Sequence, residues 1–156
     1  MIDEKTMQKI RALESMYPDK RSLVMGALWV VQRDKGGTLT KEDLEVIAGI
    51  LEISPVEVQA AATFYTMYNI AKPVGKYHIQ VCANLSCSLL GAENLRAHLE
   101  KSLGIKTGET TLDGKFSLTT VECLGSCDTA PMMQINDDYY ENLDTEKVNE
   151  ILKRMR

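Results

Sequence analysis

Hydrophobic positions follow two different rhythms along this chain. Up to about residue 72 they recur every three or four residues, the period of helices buried on one side. From about Lys76 they alternate, the period of half-buried strands. In the first half, Asp3 is placed to cap a helix running toward Tyr17, which Pro18 ends. A second helix, from about Arg21 to Asp34, carries Leu23, Ala27, Leu28, Val30 and Val31 near one side and meets Gly36-Gly37. A third begins at Thr40 with an acidic residue three positions on. A fourth begins at Ser54-Pro55-Val56-Glu57, a capping box with proline where its missing N–H costs least.

In the second half, Tyr77, Ile79 and Val81 alternate with His78 and Gln80 and lead straight to Cys82. Leu95, Leu99 and Leu103 mark a helix that stops at Gly104. Phe116, Leu118 and Thr120 alternate into a second strand, ending just before Cys123. Met132 to Ile135 and Tyr139-Tyr140, divided by Asn136-Asp137-Asp138, predict a closing hairpin. Asp144-Thr145 then caps a last helix with Val148, Ile151 and Leu152 inward. The reading is α+β, with a helical bundle over 1–72 and an α/β domain over 73–156.

Charge and composition narrow the function classes. A formal net charge of −4, with basic residues scattered apart from the tail Lys153 to Arg156, argues against nucleic acid as a partner. That tail reads as a helix end favoured by the helix dipole. The longest apolar run, Val24 to Val31, is far shorter than a bilayer requires, so no direct membrane insertion is expected. The opening MIDEKTMQKI does not read as a secretory signal, which points to the cytosol. In that reducing setting, close cysteine pairs hold metal more often than they form disulfides.

The four cysteines change the picture most. Cys82 and Cys87 have four residues between them, Cys123 and Cys127 have three, and thirty-five residues separate the pairs. Each pair is expected in a loop just past a strand. If the two strands are parallel neighbours, both loops emerge at one edge of the sheet. Four thiolates divided two and two suit a [2Fe–2S] cluster, with two on each iron. A structural zinc site tolerates the same spacings and stays open. Neither pair is C-x-x-C, which disfavours a dithiol oxidoreductase. Gly125 leaves room for amides near sulfur, and Ser86, Ser88 and Ser126 are candidate hydroxyl donors. Glu122 and Asp128 act the other way on the potential, opposing added negative charge.

The stretches Ala61-Ala62-Thr63-Phe64-Tyr65-Thr66-Met67-Tyr68 and Glu122-Cys123-Leu124-Gly125-Ser126-Cys127, followed by Ala130-Pro131-Met132-Met133-Gln134-Ile135-Asn136, resemble a known family. It is the small iron–sulfur subunit of the NADH-oxidising module of respiratory complex I, with relatives in NAD-linked hydrogenases and formate dehydrogenases. Asp138-Tyr139-Tyr140-Glu141-Asn142-Leu143 leans toward the bacterial respiratory version, and the resemblance covers nearly the whole chain. It implies an N-terminal helical bundle followed by a thioredoxin-like domain. It also implies one low-potential [2Fe–2S] cluster on Cys82, Cys87, Cys123 and Cys127. The partners implied are a larger flavoprotein that binds NADH and FMN and further iron–sulfur subunits, peripheral on the cytoplasmic side of the inner membrane. The resemblance places this cluster near the flavin but off the main cluster chain to quinone. No catalytic site of the chain's own is expected, and no G-x-G-x-x-G loop is present for a nucleotide.

Other residues are read more plainly. Phe64 and Tyr68 are expected on one helical face with Tyr65 turned away, as core or subunit contact. His78 and His98 are expected at the surface or an interface. Pro131 begins a strand, and Met132 and Met133 are expected to alternate, one inward and one outward. The N-terminal helices are expected to supply much of a docking surface. Two rivals accompany this reading: a zinc-stapled interaction module, and a diffusible ferredoxin-like carrier that keeps the cluster.

Overall fold

A computed structural model describes residues 2–70 and 72–155 and divides the chain into two compact units, Met1–Pro73 and Val74–Arg156. The basic tail begins inside the last helix, and its final residue, Arg156, lies outside the described residues.

Among the described residues the first unit holds four α-helices: α1 (Glu4–Leu13), α2 (Val24–Asp34), α3 (Lys41–Leu51) and α4 (Pro55–Phe64). Their starts follow local hydrogen-bond chemistry. Asp3 accepts from the Thr6 amide at 2.8 Å. Thr40 with Asp43, and Ser54 with Glu57, form complete capping boxes that satisfy amides otherwise left bare. Helix α2 begins three residues later than its apolar spacing suggests, because Asp19 takes the Ser22 amide and holds that stretch as a turn. Ile10, Leu23, Ala27, Leu28, Val31, Ile47, Leu51 and Val58 are fully buried together. Asp43 is buried too, and Lys35 closes on it at 2.6 Å.

Helix α4 ends at Phe64, where Tyr65 turns to extended backbone, so the expected shared face of Phe64 and Tyr68 does not exist. Phe64 is 77% exposed, while Tyr68 is buried and donates its hydroxyl to the Met25 carbonyl at 2.9 Å. Gln32 fastens the chain beyond α4. Its side chain donates to the Met67 carbonyl and accepts from the Asn69 amide.

The second unit is a four-stranded mixed sheet in the order β2-β1-β3-β4, with helices α5 (Leu85–Leu89), α6 (Ala92–Leu103) and α7 (Thr145–Met155). Strands β1 (Tyr77–Cys82) and β2 (Phe116–Val121) are parallel, with Tyr77 opposite Phe116 and Cys82 opposite Val121. Strand β3 (Met133–Ile135) runs antiparallel to β1 and pairs with β4 (Asp138–Tyr140). Asn136 makes the hairpin turn at φ 54, a left-handed backbone that asparagine tolerates better than most residues. Its side chain also accepts from the His78 amide and donates to the Lys76 carbonyl, hooking the hairpin to β1.

The apolar alternation is correct for Ile79, Val81, Phe116 and Leu118, all buried with Leu95, Leu99, Val148 and Leu152. Two positions depart from it. Thr120 is exposed, since β2 is an edge strand whose end passes beyond the apolar cluster. Ser117, on the opposite phase, is buried. Its hydroxyl accepts from the Gly75 amide at 2.7 Å and pairs with Thr110 at 2.6 Å. Met132 and Met133 are both fully buried, against the expected alternation, in the apolar cluster that also holds Cys82 and Cys87. The Ala130–Pro131 peptide is cis.

Candidate metal centre

Parallel pairing of β1 and β2 decides where the cysteines lie. Both strands end at the same edge, with Cys82 closing β1 opposite Val121, two residues before Cys123. The Ala83 amide donates to the Val121 carbonyl at 2.9 Å, which continues the ladder past Cys82. The two pairs do not sit simply in loops, however. Cys82 is the last residue of a strand, and Cys87 lies inside the short helix α5, which Asn84 caps. Both are buried. Cys123 follows β2 and Cys127 opens a 3-10 turn, Cys127–Thr129; these two are exposed.

Amide groups converge on the sulfurs. Burial pushes the Cys82 thiol up, yet the amides of Asn84 and Leu124, together with Cys87, outweigh it and leave the thiol below its ordinary value. Cys87 is held above its ordinary value by burial and by the neighbouring Cys82, against the pull of the Met132 amide. Cys127 lies near enough to Cys87 to act on it electrostatically. The Gly125 amide donates to Cys123 Sγ at 3.3 Å. The Leu124 amide thus carries the second cysteine segment onto the first pair. Among the described residues, no three His, Cys, Asp or Glu side chains converge on one point for a single metal ion.

Glycine at 125 is needed for its backbone rather than for clearance. Its φ is +75, while an added Cβ would meet no atom within 4 Å. Two of the three candidate serine hydroxyls are spent away from the sulfurs. Ser88 donates to the Ala83 carbonyl at 3.1 Å, and Ser126 is bound to Glu141 and to Thr129. The Ser126 and Thr129 hydroxyls hold the Glu141 carboxyl below its ordinary range. His78 and His98 stand apart from the cysteines. His78 is half-buried against Thr119 at 2.9 Å, and burial lowers its pKa. His98 bridges α6 to Asn149 on α7 at 2.8 Å.

Two residues whose spacing points only to the closing hairpin reach the cysteine segments. Tyr139 donates its hydroxyl to the Leu124 carbonyl at 2.7 Å, and Glu141 ties Ser126 to Thr129. Strand alternation separates Tyr139 from Tyr140, but no spacing rule tells which main-chain carbonyl it reaches.

Four thiols in two pairs, each pair met by main-chain N–H groups, form a donor set that fits a [2Fe–2S] cluster, whose anionic sulfurs such donors stabilise. Residues 10–156 match the thioredoxin-like [2Fe–2S] ferredoxin family, and the chain belongs to it. One [2Fe–2S] cluster is its cofactor. The chain is 47% identical over 149 residues to an NADH-quinone oxidoreductase subunit of Rhizobium meliloti (strain 1021), covering 96% of this chain and 88% of that one. It is 43% identical over 154 residues to the corresponding NADH-quinone oxidoreductase subunit of Rickettsia prowazekii (strain Madrid E), covering 97% of this chain and 86% of that one. Among solved structures, an air-oxidised NAD+-reducing [NiFe]-hydrogenase shares the fold with a TM-score of 0.70 at 22% identity. That likeness covers 82% of this chain and 22% of the hydrogenase chain.

Proposed function

We propose that this chain is the electron-transfer subunit of an NADH:quinone oxidoreductase, with its [2Fe–2S] cluster held by Cys82, Cys87, Cys123 and Cys127. One observation carries the ligand assignment: the parallel ends of β1 and β2 bring both cysteine pairs to one sheet edge, under amides aimed at sulfur. The cluster supplies one-electron storage and release. The residues around it bind and tune. Cys82 and Cys87 form the buried end, Cys123 and Cys127 the exposed end, and the Asn84, Leu124, Gly125 and Met132 amides offset negative charge on sulfur.

The 1–72 unit is a helical docking and support domain, and the 73–156 unit carries the redox site. The partner is a flavoprotein subunit that binds NADH and FMN, alongside further iron–sulfur subunits on the cytoplasmic face of the inner membrane. Among the described residues, no helix is long and apolar enough to cross a membrane. Exposed apolar side chains offer contact area for such a partner, Val56 and Phe64 on α4 and Leu85 and Leu89 on the cysteine-bearing α5. A subunit of an NAD-linked hydrogenase or formate dehydrogenase would use the same module with another terminal acceptor.

Affinity purification of the tagged chain at native expression level, followed by flavin assay and NADH addition, tests this reading. The proposal predicts stoichiometric flavin in the preparation and a cluster that NADH reduces. A chain that purifies alone with an intact cluster is a diffusible carrier instead. A colourless chain holding stoichiometric zinc is a structural module.

A further inference from the structure

The peptide between Leu124 and Gly125 is held from both sides. Its carbonyl oxygen accepts from the Tyr139 hydroxyl at 2.7 Å. Its N–H, that of Gly125, donates to Cys123 Sγ at 3.3 Å. In a planar trans peptide the oxygen and the hydrogen point in opposite directions, so a partner that fixes one fixes the aim of the other. A donor on the carbonyl also polarises the unit and strengthens the N–H as a donor, by roughly 10–30% for linked bonds in condensed phase.

Core packing does not account for Tyr139. It is half exposed, whereas its neighbour Tyr140 packs against the apolar cluster. Register with β3 sets the two tyrosines on opposite faces, Tyr139 across from Gln134 and Tyr140 across from Met133. What position 139 contributes is the hydroxyl. Glu141 steadies the far side of the same segment through Ser126 and Thr129, and the Asn142 amide donates to the Thr129 carbonyl at 2.7 Å. Gly125, at φ +75, sits between these two anchors.

We infer that Tyr139 is a positioning residue for the cluster: through the Leu124–Gly125 peptide it holds the Gly125 N–H on the Cys123 sulfur and so raises the reduction potential. This rests on the assignment of Cys123 as a ligand. A reduced cluster carries one more negative charge than an oxidised one, so a donor on sulfur stabilises the reduced form more. Loosening that donor lowers the potential.

The test is a potentiometric titration, followed by EPR, of the cluster-loaded full chain and its Tyr139→Phe variant, with iron and sulfide assayed on each. The variant should keep its iron while the reduced-to-oxidised ratio at fixed ambient potential falls about threefold, or about 28 mV at about 59 mV per tenfold for one electron. Incorporation of 3-fluorotyrosine at position 139, a stronger donor of nearly the same shape, should move the potential upward. It also decides the matter if Tyr139→Phe fails to load. A hydroxyl that merely stabilises the hairpin would change thermal stability and leave both potentials alone, which would overturn the inference but not the cluster. A normal cluster in Cys123→Ala would overturn the ligand assignment itself and this inference with it.

Discussion

Replacing Gly125 with alanine isolates the backbone demand of the ligand segment. Gly125 has a φ of +75, and an alanine held there costs about 1–2 kcal/mol against a right-handed residue. No heavy atom lies within 4 Å of the added Cβ, so packing adds nothing. The alternative is for the backbone to rotate away, which takes the Gly125 N–H off Cys123 Sγ. A hydrogen bond to a charged acceptor is worth about 1.5–3 kcal/mol, so keeping the strained backbone is the cheaper course. A penalty of about 1–2 kcal/mol is a factor of about 5–30 in the equilibrium for opening the segment. Iron release to a chelator from loaded Gly125→Ala should therefore run about 5–30 times faster than from wild type. Gly49 supplies the control. It lies exposed within α3 with nothing near its Cβ, so alanine there should stabilise by about 0.5–1 kcal/mol and leave iron release unchanged. Release from Gly125→Ala at the wild-type rate would refute the reasoning.

Substitutions at Cys127, Gly75 and Asp43 probe other parts of the structure. Cys127→Ala should abolish or severely destabilise the cluster, read as loss of visible absorption and of iron and sulfide. Gly75→Ala places a Cβ 2.8 Å from the Phe116 backbone and should lower stability by about 1–3 kcal/mol in thermal denaturation, far more than Gly49→Ala changes it. Burial raises the pKa of Asp43, but Lys35 and Thr40 overcome it and hold the folded value below the ordinary 3.8. Its contribution is therefore complete above that pH and is lost as the pH falls through the lower folded value. Asp43→Asn should flatten that acid limb in pH-dependent melts, and Asp43→Ala should cost about 1–2 kcal/mol at neutral pH by removing the carboxylate that accepts from the Thr40 amide in the capping box.

Much of the fold could be read from side-chain spacing because the signals are local. Thr40 with Asp43 and Ser54 with Glu57 announce α3 and α4 through bonds made within four residues. The alternation of Tyr77, Ile79 and Val81 announces β1 in the same way. What escaped was set by contacts distant in sequence. No glycine or proline marks the end of α4 at Phe64, and the turn there is stabilised by Gln32 reaching across from α2. Burial of Ser117 depends on Gly75 and Thr110, and Met132 is buried in a cluster drawn from segments as far apart as Cys82 and Leu152. The candidate site divides likewise. Its four cysteines announce themselves by spacing, and Gly125 by adjacency, although for a conformational rather than a steric reason. The commitment of Ser88 and Ser126 away from sulfur, and the reach of Tyr139 and Glu141 toward the second pair, depend on the hairpin's register against β1.

The central claim is that this chain holds one redox-active [2Fe–2S] cluster on these four cysteines. Low-temperature EPR of the anaerobically purified chain, oxidised and then dithionite-reduced, with iron and sulfide assayed on the same sample, tests it most directly. A rhombic S = 1/2 signal should appear only on reduction, with about two iron and two sulfide per chain. Absence of signal and of iron, together with stoichiometric zinc in a native preparation, would contradict it.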